Sequence, residues 1–411
     1  MDAQFRSAYN RAYTPEFFAR YRERLETPLG TSVSFRLAET PLFLPRGLRD
    51  HLATSARQVV ELISDPALIR RLEAAVPPAF DVPGRDALPD CVQVDFAVTR
   101  DASGELRGRL IELQGFPSLY AFTAHQAAVF AESMQSVPGL DRPWTPFFGG
   151  INHEGYIEKL RRVVVGDSDP SEVIMLDLDP RSQKTYCDFV ATQRYLGVDP
   201  VCPSELVREG RTLYRTVNGR RVAVRRIYNR VVFDELERKG VQLPFDWRQE
   251  LDVRWVPHPN WYWVWSKYTL PFLEHPAVPR TRFLSDVTEV PDDLSRYVLK
   301  PLFSFAGAGV KVDVTRDDLA AVPEAQRGGY VLQEKMTYEP ALVTPDGAKV
   351  KAEVRMMLLR SGPKGELELV LNLVRLSRGA MLGVDQNRGH EWVGSSVGIW
   401  PAGEGGAAEE G

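Results

Sequence analysis

Cysteine and histidine are both scarce in this sequence. The three cysteines, Cys91, Cys187 and Cys202, lack metal-ligand spacing and form no even set for a disulfide framework, and the six histidines form no paired motif. This scarcity argues against a zinc centre and against a disulfide-stabilised fold. We therefore expect a reducing compartment, in the simplest case the cytoplasm.

Net charge of one sign and long apolar runs are also missing. The 51 Lys and Arg residues nearly balance the 55 Asp and Glu residues, which gives a net charge of −4 and no bulk attraction for nucleic acid or anionic membranes. No apolar run approaches the length of a membrane span, and the polar N-terminus has no signal-peptide core. With 411 residues, 44% of them hydrophobic, we expect a soluble protein of two or three domains.

Helix signals dominate residues 1–90. Thr14-Pro15-Glu16 is typical of a helix start, with Thr at the N-cap and Pro at the first helical position. Further helices are predicted over 47–64 and 65–75. No residue in this segment suggests chemistry, and we expect its helices to cover a sheet.

The next segment predicts a β-hairpin with one polar face. Residues 92–98 alternate between apolar and polar, and 109–114 (RLIELQ) predict a returning strand. Glu112 and Gln114 share one face, and folding the hairpin brings Asp95 opposite positions near 110–112. These three side chains could converge as oxygen ligands for Mg²⁺, or they could form a solvated face of the ribbon.

The middle of the chain predicts a small α/β unit. A strand at 172–177, a helix at 183–196, a strand edge at 199–202 and a β-rich run at 222–232 suggest a small parallel sheet without a dinucleotide fingerprint. The run contains Arg225, Arg226 and Arg230, which could recognise an anionic substrate or form salt bridges. The aromatic-rich segment 255–265 is interpreted as a packed wedge between domains.

Residues 297–309 (YVLKPLFSFAGAG) combine a strand, a lysine and a glycine-containing loop. Lys300 ends the apolar strand, and the loop could turn its backbone N–H groups toward an anion. A second β-branched run at 310–314 predicts a hairpin. This segment is either a phosphate-binding grip or an ordinary hairpin with a Gly turn; the Gly-Lys-Ser/Thr of a Walker A loop is absent.

The order of these elements resembles the ATP-grasp superfamily. A helix opening at Lys267 is followed by the strand ending in Lys300, a glycine loop, a strand ending in Gln333-Glu334-Lys335, and a strand carrying Glu353-x-Arg355. The closing motif of that family, an Asp strand, a turn and a strand with Glu-x-Asn, does not follow.

Residues 94–118 resemble this closing motif, which therefore lies about 150 residues upstream of the helix that should open the module. Glu112-x-Gln114 replaces Glu-x-Asn, and Gln93 stands where many relatives have Arg. The chain therefore resembles circularly permuted ATP-grasp proteins, such as eukaryotic glutathione synthetase and glutathionylspermidine synthase.

The resemblance implies an α/β and α+β protein with a circularly permuted ATP-grasp fold. The expected divisions are an N-terminal helical segment (1–90), the permuted C-terminal part of the ATP-grasp module with the metal-binding hairpin (91–137), an α/β domain like that preceding ATP-grasp modules (151–260), the nucleotide-binding lobes (261–400) and a disordered tail (401–411).

The resemblance also implies the reaction and its partners. We expect an ADP-forming ligase that joins a small-molecule carboxylate to an amine through an acylphosphate, with ATP and Mg²⁺ as cofactors. An ATP-grasp kinase or phosphotransferase, or a non-catalytic ATP-binding regulatory protein, remains as an alternative. Neither the two substrates nor the oligomeric state follows from the sequence.

Individual roles follow from the same resemblance. Arg355, Arg375 and Lys300 would be catalytic, and Asp95, Glu112 and Gln114 would bind the metal. The nucleotide would be bound by Lys267, Lys300, Ser304, Gly307, Gly309, Gln333, Glu334, Lys335, Met336 and Glu353, with Glu339 as the alternative to Glu353 at the ribose.

Overall fold

The structure, a computed structural model, describes residues 2–241, 243–303, 309–379 and 389–403. The α-helices within these ranges are α1 (Ala3–Ala12), α2 (Pro15–Glu26), α3 (Arg46–Ile63), α4 (Pro66–Leu72), α5 (Tyr120–Met134), α6 (His153–Val164), α7 (Tyr186–Leu196), α8 (Phe233–Lys239), α9 (Trp261–Val264) and α10 (Arg316–Ala320).

The strands within the same ranges are β1 (Leu42–Phe43), β2 (Cys91–Arg100), β3 (Leu106–Gln114), β4 (Trp144–Thr145), β5 (Val173–Leu176), β6 (Asp199–Val201), β7 (Val207–Glu209), β8 (Thr212–Val217), β9 (Arg220–Val224), β10 (Arg226–Asn229), β11 (Arg254–Val256), β12 (Thr281–Phe283), β13 (Tyr297–Pro301), β14 (Tyr330–Glu334), β15 (Pro340–Val343), β16 (Lys349–Leu359), β17 (Glu368–Ser377), β18 (Gly394–Ser396) and β19 (Gly398–Pro401).

Side-chain caps explain where the N-terminal helices begin. The Thr14 hydroxyl accepts a hydrogen bond from the Phe17 amide (3.1 Å), and the Asp65 carboxylate accepts one from Ala67 (2.9 Å). Each cap satisfies an amide that the first helical turn leaves unpaired. The predicted helices at 47–64 and 65–75 are confirmed as α3 and α4, and the start at Pro15 is confirmed as α2.

A six-stranded sheet joins distant parts of the chain. Its order is β18-β17-β16-β2-β3, and β15 pairs with the start of β16. The hairpin β2–β3 pairs antiparallel with β16 more than 200 residues later, with Asp95 opposite Arg355. The hairpin predicted from the alternation at 92–98 and the strand at 109–114 thus lies in the same sheet as the strand that carries Glu353 and Arg355.

The two faces of this sheet differ in chemistry. Val92, Val94, Phe96 and Val98 lie on one face of β2 and are fully buried in the main hydrophobic core, to which α3 and α5 also contribute. The intervening residues of β2 lie on the opposite face, because strand side chains alternate. That second face carries the polar residues of the candidate site.

A parallel sheet of order β11-β10-β5-β6 forms the middle of the chain. It confirms the small parallel sheet predicted there, and β7, β8 and β9 form a separate antiparallel sheet beside it. The aromatic segment 255–265 is buried between two hydrophobic clusters: Trp261 and Trp265 belong to the main core and Trp255 and Trp263 to the second. Packing therefore accounts for these rings.

A three-stranded antiparallel sheet of order β12-β14-β13 carries Lys300 and corrects one prediction. The run at 310–314 does not form the second strand of a hairpin; it makes only an isolated bridge between Leu299 and Lys311. The partner of β13 is β14, with Lys300 opposite Val331. The β-branched pattern gave the tendency to extend but could not show which strand would supply the partner.

Two further boundaries differ from the predictions. The helix expected from Lys267 is a 3₁₀ helix over Lys267–Phe272, and Pro271 inside it has no amide hydrogen for an α-helical bond. Pro401, the expected start of the tail, ends β19, which pairs with β1 and β4; the remaining tail prediction, 404–411, lies outside the described residues. No helix in the described ranges is long and apolar enough to cross a membrane.

Candidate functional site

The register of the six-stranded sheet brings the predicted polar residues together. Asp95 lies opposite Glu112 on β3 and opposite Arg355 on β16. Glu353 lies opposite Arg375 on β17. The spacing of two residues along each strand puts these side chains on one face, as the sequence predicted.

Asp95 is held by two arginines. Arg355 donates from Nε to Oδ1 (2.6 Å) and from Nη2 to Oδ2 (2.7 Å), a bidentate pair, and Arg375 also donates from Nη2 to Oδ2. Arg355 Nη1 donates to Gln93 Oε1 (2.9 Å). Asp95 is 1% exposed, so this carboxylate is a buried charge neutralised by its sheet neighbours.

Arg375 links the Asp95 pair to a second carboxylate. Its Nη2 lies 3.2 Å from Glu353 Oε2, and Glu353 Oε1 accepts a hydrogen bond from the Tyr338 hydroxyl (2.6 Å). Burial raises the pKa of Glu353, although Arg375 opposes this effect. Burial lowers the pKa of Arg375, but Asp95, Glu353 and Glu112 outweigh it, so the pKa is raised and Arg375 stays charged.

Glu112 meets the lysine that opens the 3₁₀ helix. Lys267 Nζ lies 3.6 Å from Glu112 Oε2, and Gln114 Nε2 donates to Glu112 Oε1 (3.1 Å). Burial of Glu112 opposes ionisation, but the surrounding cations, first Lys267 and then Arg375 and Arg355, outweigh it and lower its pKa to about 2. Glu112 is therefore a carboxylate at any physiological pH.

Lys300 reaches the same region from the other sheet. Its Nζ donates to Gln333 Oε1 (2.6 Å) and to the backbone oxygen of Ile111 (3.2 Å), and Gln333 Nε2 donates to Thr281 Oγ1 (3.1 Å). Burial lowers the pKa of Lys300 to about 8, with Glu112 raising it and Lys267 lowering it further. The side chain thus spans the two sheets, next to the residue that precedes Glu112.

Three of the predicted nucleotide-binding residues lie beside a cleft. Glu334, Lys335 and Met336 line a cavity of about 520 Å³, together with residues of α3 and of the β2–β3 hairpin, including Arg109. Lys335 also pairs with Asp313 (3.0 Å). A volume of this size suits a small organic ligand.

The two candidates for the ribose contact lie in different surroundings. Glu339 pairs with Arg100 (2.9 Å) at a part-exposed position, whereas Glu353 is buried beside Arg375 and Tyr338. Among the predicted loop residues, Gly309 has a φ of +72°, which favours glycine. Ser304 and Gly307 lie outside the described residues.

Sequence reasoning missed Tyr338 and left Gln93 without a role in the site. Gln93 stood out only as a departure from relatives, yet it shares a strand face with Asp95 and its side-chain amide donates to the Ser118 backbone oxygen (2.6 Å) while it holds Arg355. The two-residue period could have found it. Tyr338 lies in an irregular segment, and no local pattern indicated its contact with Glu353.

Two of the three arginines of the 222–232 run belong to the framework. Arg230 forms a buried ion pair with Asp188 (2.6 Å), and the other Asp188 oxygen accepts from the amides of Ala121 and Phe122 at the start of α5. Arg226 donates to the backbone oxygens of Val163 and Val164. Arg230 thus forms a salt bridge and Arg226 caps α6, whereas Arg225 is exposed and its role stays a prediction.

The predicted metal ligands fit a divalent ion only in part. Glu112 is ionised and Gln114 adds an amide oxygen, a donor set that suits Mg²⁺. Asp95 does not fit, because both of its oxygens accept hydrogen bonds from guanidinium groups. Within the described ranges, no group of three or more His, Cys, Asp or Glu side chains is arranged to hold a metal ion.

Neither a protein-family model nor a curated protein matches this sequence. Among solved structures, the chain is similar to a glutathione synthetase-like effector from Globodera pallida in its apo form. The TM-score is 0.55 at 11% sequence identity, and the match covers 89% of this chain and 95% of that chain. This likeness over nearly the whole length shows that the two chains share a mixed α/β fold.

Proposed function

We propose that this protein is an ADP-forming carboxylate–amine ligase with a circularly permuted ATP-grasp fold. The observation that carries the proposal is a cluster of opposite charges where the sheet of Lys300 meets the six-stranded sheet. Its cations are Lys267, Lys300, Arg355 and Arg375, and its carboxylates are Asp95, Glu112 and Glu353. Phosphoryl transfer needs concentrated positive charge of this kind.

Two features of the whole chain support the proposal. The β2–β3 hairpin pairs with β16 although it precedes β13 and β14 in the chain, which is the strand arrangement that a permuted module requires. The structural neighbour is itself named as glutathione synthetase-like.

Each side chain has a defined task in this proposal. Lys300 and Lys267 bind phosphate oxygens as point charges, since both reach the junction of the two sheets. Arg375, with a side chain one-third exposed, donates to the acylphosphate oxygens. Glu112 and Gln114 would hold Mg²⁺, which would neutralise charge on the β- and γ-phosphates.

The cleft beside Glu334, Lys335 and Met336 is the proposed site of the base. Its wall includes residues 334–337, and its volume of about 520 Å³ accommodates a purine. In the reaction, a carboxylate oxygen of the acid takes the γ-phosphoryl group and ADP leaves. The amine nitrogen then attacks the acyl carbon, the carbon–oxygen bond breaks and phosphate departs.

Phosphate release from ATP, measured over a panel of carboxylates with and without amines, tests the proposal. A ligase needs both partners for an amide product, whereas a kinase forms its phosphorylated product with one. ATP binding without turnover on any pair would support a regulatory protein and contradict the proposal.

Lys300→Ala is the matched variant for this assay. We expect it to abolish turnover, because a buried cation on the phosphate path is lost. Lys311→Ala is the control, since Lys311 is exposed and pairs with Asp318 away from the cluster. Normal turnover by Lys300→Ala would show that the phosphate-binding assignment is wrong.

A further inference from the structure

The two arginines beside Asp95 differ in what they can reach. The Arg355 side chain is 8% exposed, and its donors are directed to Asp95 and Gln93. The Arg375 side chain is 33% exposed. Arg355 is therefore enclosed with Asp95 and Gln93, whereas solvent reaches the Arg375 side chain.

Arg375 also has one side-chain N–H group that no described residue accepts. Its Nε is buried and has no hydrogen-bond partner within the described ranges, while Nη2 is shared between Asp95 and Glu353. A buried N–H without an acceptor is costly, and an anionic ligand oxygen would satisfy it. The unpaired donor thus points to a ligand contact at Arg375.

Asp95 has little capacity left for a metal ion. A carboxylate offers about four lone-pair positions, and three of them already accept hydrogen bonds from the two guanidinium groups. Mg²⁺ demands near-ideal octahedral geometry and would be repelled by two adjacent cations. Binding it at Asp95 would require the sheet neighbours Arg355 and Arg375 to move away.

We propose that Asp95 is a positioning residue. Together with Arg355, it holds Arg375 so that Arg375 Nε donates to an anionic substrate oxygen. The metal is then left to Glu112 and Gln114. The role of Arg375 toward substrate rests on the ligase proposed above; the role of Asp95 toward the two arginines does not. Gln93 and Glu353 complete the frame, one for each arginine.

The first experiment follows the arginine Nε–H resonances of [¹⁵N]arginine-labelled protein, assigned with Arg355→Lys and Arg375→Lys. In Asp95→Asn we expect the Arg375 resonance to shift or to broaden by faster exchange, because its anchor is lost. In Glu112→Gln it should keep its line width. An unchanged Arg375 resonance in Asp95→Asn would overturn the proposal.

The second experiment titrates Mn²⁺, alone and with ADP, by electron paramagnetic resonance. Asp95→Asn should keep the wild-type affinity, whereas Glu112→Gln should lose about tenfold or more, because Glu112 is a ligand and Asp95 is not. A comparable loss in Asp95→Asn would overturn the proposal even if the Arg375 resonance moved. If the wild type binds no Mn²⁺, the resonance alone decides.

Kinetics provide the readout that depends on the ligase. Asp95→Asn should lower kcat by about 10- to 100-fold and leave KM for ATP nearly unchanged, because a misplaced Arg375 affects the transition state more than nucleotide binding. A wild type without any turnover would remove the ligase proposal but not the first two experiments. If Asp95→Asn does not fold, Arg355→Lys serves instead, with the same expected shift of Arg375 and the same retained Mn²⁺ affinity.

Discussion

At the scale of single residues, Lys300 carries its charge where burial opposes it. Burial lowers its pKa to about 8, below the ordinary value near 10.4 for lysine. An arriving phosphate group favours the charged form and raises the pKa again. Lys300 is thus poised to take up a proton when an anion binds.

This poise predicts a pH dependence of nucleotide binding. Above pH 8 the free protein loses the Lys300 proton, so ADP affinity should fall as pH rises from 8 to 9.5, with proton uptake on binding. In Lys300→Arg the fall should disappear, because arginine stays charged. Calorimetric titrations in two buffers of different ionisation enthalpy measure both effects, and a flat wild-type profile without proton uptake would contradict the assignment.

The stability of the ligand-free protein should depend on the same group, with the opposite sign from a lysine whose pKa a partner raises. Since the folded pKa of about 8 lies below the unfolded value, the unfolded chain binds more protons between about pH 8 and 10.4. The free energy of unfolding should therefore rise over this range relative to that of Lys300→Met. Urea denaturation of the two proteins at pH 8 and pH 10 measures the difference, and a difference that is constant with pH would argue against a depressed pKa.

At the scale of secondary-structure elements, the end of β3 is fitted closely to the aromatic segment. The Gly115 amide donates to the Trp265 backbone oxygen (2.8 Å), and a Cβ at Gly115 would lie 2.6 Å from the Trp261 backbone oxygen. This contact fixes the distance between the strand that carries Glu112 and the turn that leads to Lys267.

Gly115→Ala should therefore lower stability by about 1–3 kcal/mol and weaken ADP binding, because the backbone of the aromatic segment must shift. Gly47→Ala is the matched control. Gly47 lies in the first turn of α3 with open space around its Cβ position, so alanine there should stabilise by about 0.5–1 kcal/mol without affecting ADP. Equal behaviour of the two variants in urea denaturation and ADP titration would contradict this account.

The elements also show what local patterns can predict. Thr14 and Asp65 mark the starts of their helices because a cap acts within three residues. The alternation in 92–98 predicted the polar face because successive strand side chains point to opposite faces. The hairpin predicted with 310–314 was wrong because tertiary packing, and not the local pattern, decides which strand pairs with β13. Likewise, the pattern placed Asp95 on the correct face, but only the register with β16 reveals that its partners are arginines.

At the scale of the whole molecule, strand pairing and chain order are uncoupled. The sheet needs β2 and β3 beside β16, but they are connected to it only through the intervening middle of the chain. The described ends of the chain lie near each other: the Asp2 amide donates to the Phe43 backbone oxygen (3.3 Å), and Phe43 pairs with Ile399.

This proximity predicts that a permuted gene will produce a working protein. A chain opened between Gly150 and Ile151, with a short Gly/Ser linker joining the native ends, should fold with the same secondary structure and bind ADP as the wild type does. Gly149 and Gly150 are exposed and lie between β4 and α6, so the break interrupts no element. Circular dichroism and ADP titration are the measurements, and an unfolded product would show that chain order does matter.

The central claim is that ATP activates a carboxylate in this site, and isotope transfer tests it most directly. Once the substrate panel identifies an active acid and amine, the acid is labelled with ¹⁸O in its carboxylate, and the phosphate released is examined by mass spectrometry. Because the phosphoryl group is transferred to a carboxylate oxygen and leaves with it, we predict one ¹⁸O atom in each phosphate, together with the amide product. Phosphate that carries no ¹⁸O would show that water, and not the carboxylate, attacked ATP, and would contradict the account.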